Sequence, residues 1–418
     1  MTQWWRSYTG CMWRRRSARI KIRFSMDINT DPKKISELLR RGVEEVIEKN
    51  TLKKKLASGR QLRVKLGIDP TSPNLHIGRS VPLLKLQDFQ ELGHQVVLII
   101  GDFTGVIGDT SDKDSERPML KKKAVEENMK SYVVQAGKII DIDTCEIHYN
   151  SAWLGKLTYG EIGEQADQFS VAEFIARENI RRRLAAGTRV SLREVLYPLM
   201  QGYDSVAVKA DVEVGGTDQR FNLLAGRALQ EYYHQPAQEI IMNPLIAGTD
   251  GRKMSSSWGN TINLLAEAND MYGKVMSIPD NLIITYFTLV TRIPMNEVKK
   301  MEMELKSGLN PRDLKMRLAA GIVKMYHGEH AAMKAQEYFV STFSKKEKPQ
   351  EISELKPSAL DIVTVLVEAG FASSKTEARR TIDDGGVKVS DEKVTAYDVR
   401  VRAGDIVQKG KRFFVRIV

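Results

Sequence analysis

Two short stretches of this chain carry residues that could handle phosphate. His76-Ile77-Gly78-Arg79 sets an imidazole and a guanidinium around a glycine, at the start of a segment with helical apolar spacing. A helix N-terminus leaves N–H groups unpaired and presents the positive end of its dipole, so polyphosphate is favoured there and His76 could donate to it. Gly78 would let a base or ribose lie against the backbone. Lys253-Met254-Ser255-Ser256-Ser257 follows the turn-rich Gly248-Thr249-Asp250-Gly251. A lysine and hydroxyls on such a loop can close over charge developing on a leaving pyrophosphate. Either stretch alone reads as well as a solvated surface segment; together, on either side of a long α/β region, they point to a nucleotide. A glycine-rich Walker loop and a G-x-G-x-x-G after a strand are both missing, which excludes the commoner nucleotide folds.

Other groups converge on the same chemistry. Gly215-Gly216-Thr217-Asp218-Gln219 follows the strand-like Val212-Glu213-Val214. Its glycines permit close backbone approach, and Asp218 could accept hydrogen bonds from a ribose. Asp69 ends the first strand, just after Gly67. Ligands of open parallel sheets bind beyond the carboxyl ends of strands, where strand order switches. Tyr197, Gln201 and Asp204 stand at i, i+4 and i+7, one face of a helix, with Ser191-x-x-Glu194 upstream as a capping box. A polar stripe satisfied inside a core has the same spacing. Pro198 predicts a kink or restart in that helix.

The elements that must position these residues are legible in part. Leu62–Ile68 reads as a strand, Ile77–Leu92 as a helix closed by Gly93, and Gln95–Ile100 as a strand buried on both faces, a βαβ unit. Lys138–Ile140, Cys145–Tyr149 and Glu239–Met242 are further strand candidates. Between about Asp167 and Arg193 the pattern is helical and basic, with Arg177, Arg181, Arg182 and Arg183 close together. The expected layout is a basic extension over 1–29, disordered, and a Rossmann-like parallel-sheet α/β domain over 30–262. That domain takes a helical insertion at about 120–193. An α-helical domain over 263–344, a linker over 345–356 and a small α+β unit over 357–418 complete it.

Composition narrows the class. A chain of 418 residues implies several domains, and no apolar run is long enough to cross a bilayer. Cys11 and Cys145 make neither a metal-ligand spacing nor a disulfide framework, and read as idle thiols in a reducing compartment. Residues 1–25 hold seven cations and no acid, leaving +4 of the net +11 for the rest. That segment lacks the apolar core of a secretory signal. It reads as an extension translated from upstream of a start at Met26, with an Arg-rich transit peptide as the alternative.

With these motifs assembled, the chain from about residue 30 onward resembles the bacterial tyrosyl-tRNA synthetases of class I. The resemblance rests on Gly67-Ile68-Asp69-Pro70-Thr71, His76-Ile77-Gly78, Gly101 to Asp109, Tyr197-x-x-x-Gln201-x-x-Asp204, Gly216-Thr217-Asp218-Gln219 and Lys253-Met254-Ser255. It implies a two-step reaction, in which tyrosine and ATP give tyrosyl-adenylate and pyrophosphate, and the amino acid then passes to the 3′ end of tRNA(Tyr). It also implies roles. Asp109, Tyr197 and Gln201 would hold the α-amino group, Asp204 the phenolic hydroxyl, and Gln219 would line the pocket. Asp218 would hold the ribose, and His76 with Thr71 would meet the phosphates; Gly78 belongs to the catalytic motif beside them, and Gly67, Asp69, Gly216, Ser255 and Ser257 would be further ATP-binding positions. Lys113, Arg117 and Lys253 would clamp pyrophosphate. Magnesium would arrive with the ATP, no metal being held by the protein. Arg79, Ser256 and Lys65 depart from the family pattern, which has His, Lys and often a substrate-contacting Tyr there.

Ala359–Val418 resembles an S4-type RNA-binding domain, with Lys375, Arg379, Arg380 and Lys388 as its RNA-facing cations. Its 11 basic and 9 acidic side chains make clustering, and not net charge, the argument. The resemblance further implies a cytoplasmic homodimer with no membrane association. A tryptophan enzyme, a nucleotidylyltransferase and an inactive RNA-binding paralogue are the alternatives. Asp204 argues against the first of these, since tryptophan offers it no phenolic hydroxyl. The presence of His76, Asp218 and Lys253 argues against the paralogue.

Overall fold

The computed structural model describes residues 27–111, 115–116, 118–344, 352–410 and 413–418. The basic extension up to residue 26, Lys113, Arg117 and residues 345–351 of the expected linker lie outside the described residues.

Six strands form the first sheet: β1 (Glu45–Ile47), β2 (Arg63–Ile68), β3 (Gln95–Ile100), β4 (Glu146–Tyr149), β5 (Val212–Gly216) and β6 (Glu239–Asn243). Their order is β1-β6-β5-β2-β3-β4, parallel throughout except for the antiparallel edge strand β1. The chain winds outward from β2 to β4, then returns to wind from β5 to β6 on the other side. The switch therefore falls between β2 and β5, which leaves a crevice at their carboxyl ends. β3 and β6 are nearly continuous apolar runs because helices cover both faces.

Helices α1 (Ile77–Glu91), α2 (Glu178–Ala185), α3 (Leu192–Val208) and α4 (Arg220–Tyr232) frame the crevice. α1 crosses over β2, β3 and β5, and α3 packs along α4. The Ser191 capping box closes as the sequence predicts: Ser191 accepts at the first turn and Glu194 returns to the Ser191 N–H. The helix does not restart at Pro198, and α3 runs unbroken through it. A proline costs one backbone bond there, and the burial of Tyr197, Pro198 and Leu199 holds the helix together. Lys138–Ile140 is a turn and not a strand; Ile139 and Ile140 are simply core residues, an apolar run without strand period. β4 lies inside the stretch read as an insertion, so the inserted helical piece is narrower, between β4 and α3.

Helices α5 (Ala268–Met276), α6 (Ile283–Val290), α7 (Met295–Lys306), α8 (Pro311–His327) and α9 (Glu329–Phe339) follow. One apolar cluster runs from Ile35 through the sheet to Ala335, so residue 262 falls within a shared core. The C-terminal unit has its own core. There α10 (Ile362–Glu368) and α11 (Lys375–Asp383) accompany a sheet of β7 (Ser353–Leu355), β8 (Val387–Val389), β9 (Glu392–Lys393), β10 (Ile406–Lys409) and β11 (Phe413–Ile417). Among the described residues no helix is long and apolar enough to cross a bilayer. Cys145 is free, and burial pushes its thiol up to about 11, which suits an inert thiol.

Candidate active site

The crevice opens into a cavity of about 960 Å³. Gly67, Asp69, Thr71, His76 and Gly78 line it from β2 and the start of α1. Tyr197, Gln201 and Asp204 enter from α3, with Asp109 beside them. Gly216, Asp218 and Gln219 enter after β5, and Lys253, Ser255 and Ser257 from the far loop. Every cavity residue singled out in the sequence and described in the structure is thus on one wall or another. Gly67 is exposed on the cavity side of β2, and a Cβ there would have nothing within 4 Å, which leaves the backbone open to a ligand.

One end of the cavity is a nest of carboxylates. Asp204 is 4 % exposed and accepts from Trp153 Nε1 at 2.8 Å and Asn150 Nδ2 at 3.2 Å. Burial pushes its carboxyl up to about 7, opposed chiefly by the Lys65 charge and then by those two donors. Asp69 accepts from Thr104 Oγ1 at 2.7 Å and from the Tyr197 hydroxyl at 2.8 Å. Burial raises it to about 6, against the pull of Thr104 and Tyr197. Burial and the surrounding carboxylates hold the Tyr197 hydroxyl well above its ordinary range, so it stays a donor. Gln219 Nε2 donates to Asp109 Oδ2 at 2.7 Å and to Ser111 Oγ at 2.8 Å.

Sequence reasoning did not single out Asn150, Trp153 or Thr104. Asn150 follows β4 and Thr104 follows β3, so the rule of strand carboxyl ends could have flagged both. Trp153 had no such signal.

The other end is cationic. His76 is the N-cap of α1, yet its side chain caps nothing, and its Nδ1 is buried without a partner. Burial, then the Arg79 and Lys253 charges, push it down to about 3, so the imidazole is neutral. The reason for Gly78 is closer to home than a nucleotide: a Cβ there would come within 2.9 Å of the His76 ring. Lys253 Nζ donates to Asp218 Oδ2 at 3.0 Å. Its loop is stitched by Asn260, which donates to the Lys253 carbonyl at 3.0 Å and accepts from the Ser255 N–H at 2.9 Å. Met254 is buried in the main core and anchors the loop between its two polar neighbours.

The basic helical piece splits by role. Arg183 is fully buried in α2 and paired with Glu194, which also takes the Thr110 hydroxyl at 2.7 Å. Burial opposes the Glu194 charge, but these donors hold its carboxyl below the ordinary range. Asn179 Nδ2 donates to the Thr110 carbonyl at 2.8 Å, and Arg193 to the Ile107 carbonyl at 2.8 Å. The piece therefore braces the segment that carries Asp109. Arg182 reaches the cavity wall, and Arg181 is exposed. In the C-terminal unit Lys375, Arg379, Arg380 and Lys388 are all exposed, and Arg379 lies over the Tyr397 ring at 5.8 Å.

The family described as tRNA synthetases class I (W and Y) matches residues 56–344, and the S4 domain matches residues 362–407. A tyrosine–tRNA ligase of Moorella thermoacetica is 47 % identical over 390 residues, covering 91 % of this chain and 94 % of its own. That of Thermotoga maritima is 46 % identical over 391 residues, covering 92 % and 98 %. Among solved structures, a C-terminally truncated mitochondrial tyrosyl-tRNA synthetase of Aspergillus nidulans aligns with a TM-score of 0.62 at 21 % identity, over 74 % of this chain and 94 % of that one. The Archaeoglobus fulgidus tyrosyl-tRNA synthetase complexed with L-tyrosine aligns with a TM-score of 0.58 at 21 % identity, over 73 % and 99 %. At that identity the structural likeness speaks to the fold.

Proposed function

The chain belongs to the class I tyrosine–tRNA ligases, which activate tyrosine with ATP, release pyrophosphate and pass tyrosine to tRNA, and on that premise we propose how its side chains divide the work. Asp204 accepts the phenolic hydroxyl. Asp109, Tyr197 and Gln201 hold the α-amino group, and Gln219 closes the pocket beside Asp109. The observation that carries this assignment is the buried Asp204 carboxylate, aligned by Trp153 and Asn150 in the cavity wall. A carboxylate awaiting a hydroxyl is left unpaired by phenylalanine, and an unpaired buried acceptor costs far more than a missing methylene. Tyrosyl-tRNA synthetases are the standard example of that rule.

Activation needs no general base, since the tyrosine carboxylate is already ionised at neutral pH. It attacks the α-phosphate, and pyrophosphate leaves. The protein's part is to align the two and to meet charge as it develops. Neutral His76 donates to a phosphate oxygen. Asp218 turns to the ribose, and the Lys253 ammonium joins Lys113 and Arg117 on pyrophosphate. Thr71, Ser255 and Ser257 supply further donors, with Gly67, Asp69 and Gly216 around the nucleoside. Magnesium enters as part of the nucleotide substrate. Lys375, Arg379, Arg380 and Lys388 bear on the tRNA backbone. A homodimer fits the apolar side chains exposed on the inserted piece and at the start of α3, with Tyr159 96 %, Val171 70 % and Leu192 81 % exposed. The cytoplasm, where tRNA is charged, is its place of work.

The test is ATP–pyrophosphate exchange with each amino acid in turn. Tyrosine alone should support it, and Asp204→Ala should lose most discrimination against phenylalanine. Exchange with tryptophan in place of tyrosine would overturn the substrate reading, and unchanged discrimination in the variant would remove Asp204 from its role.

A further inference from the structure

Lys65 stands in β2 directly opposite Glu213 in β5, the two strands that flank the switch point. Their side chains meet at 3.0 Å and are each 1 % exposed. A buried pair of this kind rarely adds net stability, because two charges must leave water. Its contacts suggest what it does instead. Lys65 Nζ also donates to Ser205 Oγ at 2.6 Å and to the Gln201 carbonyl at 3.2 Å. Glu213 accepts from Gln201 Nε2 at 3.2 Å and from Ser205 Oγ at 3.1 Å. Gln201 and Ser205 stand on either side of Asp204 along α3.

We infer that Lys65 and Glu213 form a positioning pair for tyrosine selection. The pair pins the stretch of α3 that carries Asp204 to the floor of the cavity and sets a buried cation beside its carboxylate. The inference rests on Asp204 being the residue that reads the phenolic hydroxyl. The charged groups around Asp204 agree with it. β2 brings Lys65 and, at its end, Asp69; β5 brings Glu213; α3 brings the neutral Tyr197 hydroxyl. The segment after β4 brings two uncharged donors, Asn150 and Trp153, with His148 beyond the Trp153 ring at 5.8 Å. Lys65 is the chief charge that favours ionised Asp204, and Glu213 opposes it. The ionised carboxylate is free to accept from Trp153, Asn150 and a phenol together, whereas a protonated one gives an acceptor position to its own O–H, which must donate.

The test compares the full-length enzyme with K65Q/E213Q, which keeps amides of similar shape and removes both charges. Pyrophosphate exchange is measured with tyrosine and with phenylalanine across the acid limb of kcat/KM, beside Asp204→Asn as a reference. The tyrosine-to-phenylalanine ratio should fall roughly tenfold in K65Q/E213Q, with KM for ATP unchanged and the acid limb shifted to higher pH. A merely structural pair would lower the melting temperature and leave the ratio and the limb in place. That result, with Asp204→Asn losing the ratio, would overturn the inference alone. A ratio retained in Asp204→Asn would overturn the Asp204 reading beneath it. If K65Q/E213Q does not fold, Ser205→Ala removes the hydroxyl that joins both members to α3 and spares their ion pair. It should lower the ratio about threefold, and an unchanged ratio there would also overturn the inference.

Discussion

At the end of the cavity proposed for the amino acid the polar groups are already paired. Asp204 holds Trp153 and Asn150, Asp69 holds Thr104 and Tyr197, and Gln201 rests on Glu213. At the end proposed for the nucleotide the buried His76 Nδ1 has no partner, and Lys253 leans on Asp218. The contrast follows from the tasks. Choosing one amino acid demands a fixed geometry before anything binds. Meeting charge on a leaving pyrophosphate demands groups that gain their full partners only in the transition state. The fixed end also costs stability. Asp204 and Asp69 are raised from 3.8 to about 7 and about 6, so between those values the folded chain holds protons that the unfolded chain has released. Their contribution to stability therefore declines as pH rises through that window, into the range where the site must work.

The contrast breaks most visibly at Lys253. Lys253→Ala should lower kcat of pyrophosphate exchange by about 100- to 1,000-fold, as loss of a charge-stabilising donor does, with KM for tyrosine unchanged. A large rise in tyrosine KM instead would mean that the two ends are not separate devices.

Trp153→Phe probes the other end. It keeps an aromatic ring beside His148 and removes the Nε1–H from Asp204. Tyrosine KM should rise about tenfold, the loss of one hydrogen bond to a charged acceptor, while ATP KM stays put. Steady-state exchange kinetics with each substrate varied separate the two.

The pH profile sharpens the same division. kcat/KM for tyrosine reports groups of the free enzyme, and Asp204 protonates as pH falls through about 7. The value should therefore fall on the acid side, with Asp69 deepening the loss near about 6. His76, held down near about 3, should contribute no inflection at neutral pH, and His76→Asn should leave the acid limb where it is.

How much of this was legible depends on whether a residue's job is local. The βαβ unit, the capping box at Ser191 and the Tyr197-Gln201-Asp204 face are set by neighbours along the chain, and they stand as read. Lys65 shows the limit. Its departure from the usual tyrosine was visible in the sequence, but its partner Glu213 is fixed only when β2 and β5 pair. Trp153 is likewise brought to Asp204 by the sheet's edge and not by spacing. Pro198 does not restart the helix, because tertiary burial outweighs one missing backbone bond. The Lys138–Ile140 run misled because short apolar segments look alike whether they pair or merely fill a core.

The smallest effects belong to the C-terminal unit, whose cations sit on a surface remote in kind from either end of the cavity. Lys375, Arg379, Arg380 and Lys388 are exposed, so in the proposed role each would meet a polyanion through screened charge and not through a built pocket. Removing one phosphate contact lowers affinity only a few-fold and cuts the salt slope by about one. Lys388→Ala should thus raise KM for tRNA in aminoacylation about two- to threefold. Arg379→Ala should do somewhat more, because stacking over Tyr397 already holds that guanidinium in place. Pyrophosphate exchange involves no tRNA, and both variants should leave it unchanged. Measuring the two reactions side by side at several salt concentrations tests this. A variant that slowed exchange would tie the C-terminal unit to activation. A variant with wild-type tRNA KM and salt slope would show that the RNA follows another face of the domain.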